Sequence, residues 1–238
     1  GYPLAYPPRL GRDSLILVGE RYSKAAAEAM VRDIPEIKGV IESRGVPGVM
    51  DPKEKPLKNL LLAGCDLRAD VVSSLMGELV VYRRQSLIHI EFSRQNAPKM
   101  KILEELYFRG KLRDVVDGLC GPGTLGLMCV LAGAERVVFN DAWLPAVEDL
   151  LMNLEVNRKM LGIEEIEHME TPTRMVGRKP VLVARTRGAC RIEVYHGDLA
   201  RLFSRARPAE LCLIDHFPGS DTRALEQACR SCKETVIV

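Results

Sequence analysis

The ten residues Asp117-Gly118-Leu119-Cys120-Gly121-Pro122-Gly123-Thr124-Leu125-Gly126 constrain this chain more tightly than any other stretch. A short apolar run, Val115-Val116, precedes them, and an apolar stretch suited to a helix, Leu127 to Ala132, follows. The segment therefore reads as strand, glycine turn and helix. Glycines at 121, 123 and 126 give the G-x-G-x-x-G spacing, in which the backbone has to approach a ligand closely. That spacing is weak evidence by itself.

Its surroundings sharpen it. Asp117 ends the strand, four residues ahead of Gly121. In a dinucleotide site the pyrophosphate rests on the helix N-terminus, where N–H groups and the dipole favour an anion. A carboxylate aimed into that turn repels a pyrophosphate and suits a positively charged ligand, such as the ammonium of S-adenosylmethionine. Gly121, Gly123 and Asp117 together favour that cofactor over NAD; the alternative is that Asp117 only caps the turn. Val137-Val138-Phe139 reads as the next strand, ended by Asn140-Asp141. Asp141 lies 20 positions after Gly121, the separation at which an acid holds ribose hydroxyls. Its other reading is a cap for the following helix. Trp143, the single tryptophan, is placed either to flank an adenine or to cover the sheet edge.

With 238 residues, 47% hydrophobic and 28% charged, the chain is expected to bury a sizeable core in one large domain or in two smaller ones. No apolar run approaches the roughly 18 residues of a membrane span, and no signal-peptide pattern opens the sequence, so no membrane partner is expected. Seven cysteines in no regular spacing suggest reduced thiols and a cytoplasmic setting. Cys229-Arg-Ser-Cys232 has no second pair and no neighbouring histidine, and reads as a helix face rather than a metal site. The formal charge of +2 does not implicate RNA, but Arg174, Arg178, Lys179, Arg185, Arg187 and Arg191 form a local basic cluster. A solvated surface hairpin accounts for that cluster equally well.

Two regions are expected: a small α+β domain over 1–110 and a Rossmann-like domain over 111–238. In the first, strands are expected at 14–18, 39–41, 60–63, 78–82 and 87–92, with a helix at 24–32 capped by Ser23 and another at 97–107. In the second, strand 114–117, helix 124–132, strand 136–140 and helix 145–160 come first. A hairpin of 181–185 with 191–195, strand 211–215, helix 221–231 and strand 234–238 complete it. Such alternation implies an α/β fold with a doubly wound, mostly parallel sheet, its ligand beyond the strands' carboxyl ends.

The stretch from Asp117 to Gly126 followed by Asn140-Asp141 resembles class I S-adenosylmethionine-dependent methyltransferases. The longer run Asn140-Asp141-Ala-Trp-Leu-Pro145, ending in Asn153-Leu-Glu-Val-Asn157, is similar to the archaeal and eukaryotic tRNA guanine-N1 methyltransferases and their wybutosine-pathway relatives. Ile34-Pro-Glu-Ile-Lys-Gly-Val and Phe92-Ser93-Arg94 resemble parts of the same family, the latter without the proline of its F-S-P-R segment. The resemblance implies a tRNA substrate. It also implies Asp117 near the methionine amino group, Gly121 and Gly123 under the cofactor, Asp141 on the ribose and Asp198 on the adenine amino group. Asp198 also reads as a turn cap. Two departures stand out. The family's N-L-P loop is replaced by Asp215-His216-Phe217-Pro218, and its T-E-R by Ala97-Pro98-Lys99. A complete class I sheet has two strands more after strand 234–238, so the expectation is either a shortened chain or a sheet trimmed at its C-terminus.

Methyl transfer is an in-line displacement, so the protein positions the acceptor and removes its proton. His216 has the chemistry for that, with Asp215 either orienting it or acting as the base. Arg94 is a candidate for holding the acceptor or a phosphate. No metal site is expected. A protein side chain or a small molecule is the alternative acceptor, and a non-catalytic nucleotide- or RNA-binding module is the alternative to an enzyme.

Overall fold

The computed structural model describes residues 14–43, 59–89, 93–173, 175–216 and 221–238. It falls into two compact units, one of residues 9–70 and 82–90, the other of residues 1–8, 71–81 and 91–238.

In the smaller unit, β1 (Leu15–Gly19) and β2 (Ile37–Glu42) pair in parallel, and β3 (Leu60–Gly64) adds antiparallel to β2. The crossover is α1 (Lys24–Asp33), started by Ser23, whose hydroxyl accepts the Ala26 N–H at 3.1 Å. Ala27, Ile37 and Val40 form its small core. The strand expected at 87–92 is not formed over its described part: the Leu87 and Ile88 N–H groups both donate to the Arg84 carbonyl, which turns the chain there. Residues 90–92 lie outside the described residues. A strand that the sequence pattern does not announce, β4 (Leu67–Ser74), forms a hairpin with β5 (Gly77–Arg84) that both units share.

The larger unit is built on seven strands. They are β6 (Asp114–Asp117), β7 (Arg136–Asp141), β8 (Ile163–His168), β9 (Val181–Gly188), β10 (Arg191–His196), β11 (Leu211–Ile214) and β12 (Glu234–Ile237). Their order is β12-β11-β6-β7-β10-β9-β8, with the first five parallel, β9 antiparallel to β10 and β8 antiparallel to β9. The doubly wound sheet is therefore present, and β12 is its outermost strand on one side among the described residues. Strand β8 stands where the sequence suggests a polar connection. Its residues Ile-Glu-Glu-Ile-Glu-His are mostly charged because an edge strand keeps its polar face in water.

The helices are α2 (Ser93–Phe108), α3 (Thr124–Leu131), α4 (Leu144–Val156) and α5 (Thr222–Cys229), with a 3₁₀ turn over Leu199–Ser204. Strands β6 and β7 are apolar on both faces because helices cover both, as parallel sheets require. One large core contains Leu103, Leu127, Met128, Phe139, Leu150, Leu154 and Ile192, all fully buried. Each such side chain contributes on the order of 2 kcal/mol relative to exposure. Cys229-x-x-Cys232 lies where α5 ends: Cys212 of β11 donates to the Cys229 sulfur, and no metal-binding group occurs among the described residues. No helix among the described residues is long and apolar enough to cross a membrane.

Candidate active site

Strand β6 has β7 on one side and β11 on the other, so successive connections leave it in opposite directions. Ligands of doubly wound sheets bind at the crevice this opens beyond the carboxyl ends. Asp117 is the last residue of β6 at that point and is completely buried.

The glycine loop is fixed from three sides. The Gly118 N–H donates to Leu213 of β11 at 2.9 Å, and the Cys120 N–H to Asn140 of β7 at 3.0 Å. The Gly121 N–H donates to Asp141 Oδ2 at 2.8 Å. From α4, Asn153 Nδ2 donates to the Pro122 carbonyl at 3.0 Å. Asn140 Nδ2 donates to Gly118 and Gly197, closing the loop against the end of β10. Asn157, the other member of the N-x-x-x-N pattern, donates to the carbonyls of Val80 and Asn153. The two asparagines of α4 thus support the loop and its neighbour β5, a role that sequence resemblance marks without explaining.

Two glycines of the motif serve different ends. A Cβ at Gly126 would sit 2.2 Å from Phe139 Cε1, so this glycine allows α3 to pack on β7. At Gly121, where φ is +53°, an added Cβ would meet nothing within 4 Å. Space for a ligand therefore opens over Gly121. Gly123, at φ +95°, is the N-cap of α3 and offers no side-chain cap. Asp117 supplies one instead: its Oδ2 accepts the Gly126 N–H at 2.9 Å.

The other oxygen, Asp117 Oδ1, is buried without a hydrogen-bond partner. Burial pushes this carboxyl up to about 7; the Gly126 N–H opposes the rise, and the charges of Asp215 and Asp141 add to it. Asp141 is held by the Gly121 N–H on one oxygen and the Trp143 N–H, at 2.7 Å, on the other. Burial raises its pKa too, against those backbone bonds. Trp143 is the partly buried N-cap residue of α4. Asp198 is exposed and caps the 3₁₀ turn, accepting the Ala200 N–H at 3.0 Å.

On the acceptor side, Lys99 of α2 reaches Asp215 at the end of β11, with Nζ 2.6 Å from Oδ1 and 2.7 Å from Oδ2. Lys99 thus joins the candidate residue Asp215, and the sequence marks it only as a departure from T-E-R. His216 Nδ1 is buried without a partner. Arg94 lies in the first turn of α2, and its side chain is outside the described residues, as are Phe217 and Pro218. His196 is structural: it is buried and bonds the Ala142 carbonyl at 3.1 Å, and burial lowers its pKa.

No protein-family model matches the sequence, and no curated protein does. Among solved structures, Trm5 of Methanocaldococcus jannaschii in complex with adenosine gives a TM-score of 0.51 at 14% identity, over 92% of this chain and 54% of its own. Trm1 of Pyrococcus horikoshii with S-adenosyl-L-methionine gives 0.50 at 23% identity, over 69% of this chain and 40% of its own. The chain has the fold of S-adenosylmethionine-dependent methyltransferases. A third match, the tRNA m1G37 methyltransferase of M. jannaschii, gives 0.50 at 16% identity, over 88% of this chain and 49% of its own. The chain spans about half the length of the solved structures it matches.

Proposed function

We propose that this chain catalyses S-adenosylmethionine-dependent methylation of an RNA base, with tRNA as the substrate. The observation that carries the cofactor assignment is the buried, unpartnered Oδ1 of Asp117, at the strand end leading into the loop whose backbone is open at Gly121. A buried acceptor atom without a donor is costly, and an ammonium at that point removes the cost. S-adenosylmethionine has such an ammonium and, when bound, supplies an electrophilic methyl group. Asp117 would hold its amino group, Gly121 and Gly123 would lie under it, Asp141 would take its ribose hydroxyls, and Trp143 and Asp198 would flank its adenine. All these residues belong to the larger unit, and catalysis is assigned to it.

At the acceptor, Asp215 is committed to Lys99, which leaves His216 as the group suited to take the acceptor's proton. The Lys99–Asp215 pair then orients the acceptor and keeps the site electrically balanced. An RNA acceptor is supported by the tRNA m1G37 methyltransferase among the structural neighbours. A protein or small-molecule acceptor is favoured by one observation, the His216 loop that lacks the asparagine of the resembled family's N-L-P.

Incubation with methyl-tritiated S-adenosylmethionine, bulk tRNA and a cell extract tests the proposal. Label that survives protease and is released by ribonuclease is the expected result. Label in protein would move the acceptor to a side chain. Cofactor binding without transfer to any fraction would mark a non-catalytic module.

A further inference from the structure

A groove of about 630 Å³ runs between the 3₁₀ turn and α5. Arg178, Lys179, Arg201 and Arg230 line it together with Phe203, Ala224 and Ala228. No Asp or Glu is among the described residues that line it. None of the four cations makes an ion pair among the described residues, although Arg201 is steadied by donating to the Arg178 carbonyl at 3.1 Å.

That concentration is unusual for a chain with 34 basic and 32 acidic residues. Many of its other cations are matched. A smaller cleft of about 220 Å³ sets Arg113, Arg136 and Arg207 against Asp114, Glu135 and Glu210. Its pairs Arg113–Glu135, Arg136–Asp114 and Arg207–Asp114 close at 2.7, 2.8 and 3.0 Å. Part of the basic cluster legible in the sequence divides the same way. Arg185 pairs across the sheet with Glu193 and Arg187 with Glu165, whereas Arg178 and Lys179 turn to the groove. Arg174 lies outside the described residues.

The groove's place matters as much as its charge. Its 3₁₀ wall begins at Asp198, just past the carboxyl end of β10, and its helical wall begins at Asp221, five residues after His216. Four cations without ion pairs among the described residues, lining one groove with Phe203 and two alanines, suit a strand whose phosphates meet the charges and whose bases or sugars meet the apolar side chains.

We propose that this groove seats the phosphodiester backbone of the RNA acceptor next to the methyl-transfer site. The proposal rests on the RNA reading above. It adds a fixed path for the strand and a set of residues that bind substrate without touching the reacting atoms.

The test compares the full chain with Arg201→Glu/Arg230→Glu and with the milder Arg201→Gln/Arg230→Gln. Arg187→Glu serves as a control for net charge. Binding of a fluorescein-labelled single-stranded RNA is followed by anisotropy at several salt concentrations, alongside S-adenosylmethionine affinity and melting temperature. The glutamate pair is expected to weaken RNA binding by at least about tenfold, with a salt dependence shallower by about 0.7 for each phosphate no longer neutralised. Cofactor affinity and melting temperature are expected to stay at the wild-type values, and the control is expected to bind RNA like the wild type. RNA binding unchanged in both groove variants would overturn the groove while leaving the RNA reading intact. Absence of RNA binding by the wild-type chain would overturn both. Displacement of the RNA by poly-glutamate at equal charge concentration would overturn the phosphodiester assignment, since a carboxylate polymer would then serve as well.

Discussion

One ammonium, that of Lys99, holds both oxygens of Asp215 across 116 positions of sequence. Both side chains are mostly withdrawn from water, at 13% and 29% exposure. Hydrogen bonds between charged groups in such a setting contribute about 1.5–3 kcal/mol. Lys99→Met is therefore expected to lower stability by about 2 kcal/mol, and Lys99→Met/Asp215→Asn to regain part of it, because no carboxylate is then left without its ammonium. Denaturant unfolding of the two single variants and the double variant measures the coupling. Additive losses would show that the pair is not coupled.

Asp117 gives the protein a pH dependence with a defined sign. Its folded pKa is raised, to about 7, above the ordinary aspartate value of 3.8. The stability it contributes is therefore complete below about pH 4 and is lost as pH rises through about 7. Asp117→Asn keeps an oxygen for the Gly126 N–H and removes the charge. It is expected to make the ligand-free protein more stable than wild type at pH 8, by on the order of 4 kcal/mol, and no more stable at pH 4. Melting curves across that range check this. A difference that does not change with pH would contradict it.

The two kinds of glycine separate packing from binding. Gly126→Ala drives a methyl into Phe139 and is expected to cost about 1–3 kcal/mol of stability. Gly121→Ala meets no neighbour, so it is expected to cost only the roughly 1 kcal/mol of a left-handed alanine while weakening cofactor binding by tenfold or more. Thermal unfolding and calorimetric titration of both variants distinguish the two. Equal effects on stability and binding at both positions would remove the distinction.

Asn153 supports the loop from behind. Asn153→Ala removes the bond to the Pro122 carbonyl and is expected to cost about 1–2 kcal/mol and to weaken cofactor binding severalfold. The variant's unfolding midpoint and cofactor affinity report this. Undiminished affinity would show that the loop holds its shape without α4.

Much of the larger unit is legible in the sequence because its signals are local. The strand 114–117, the glycine turn and the helix from Thr124 sit where apolar runs and glycine spacing place them. Ser23 caps α1 as its residue type predicts. What is not legible depends on distant partners. Lys99 joins the candidate site only because the fold brings it to Asp215, and its own stretch marks it by nothing more than the departure from T-E-R. Strand β8 is a charged edge strand whose pairing with β9 no periodicity announces. Alternation places Leu87 in a strand, and two bonds to the Arg84 carbonyl turn the chain there instead. Asp198 shows its capping bond, and cofactor contact there remains part of the proposal.

Calorimetric titration with S-adenosylmethionine, S-adenosylhomocysteine and NAD at pH 6 and pH 8, on wild type and Asp117→Asn, tests the cofactor assignment most directly. The expected result is binding of both sulfur ligands that tightens from pH 6 to pH 8 as Asp117 ionises, is lost in the variant, and is absent for NAD. Failure of the wild type to bind either sulfur ligand, or binding indifferent to the Asp117 charge, would contradict it.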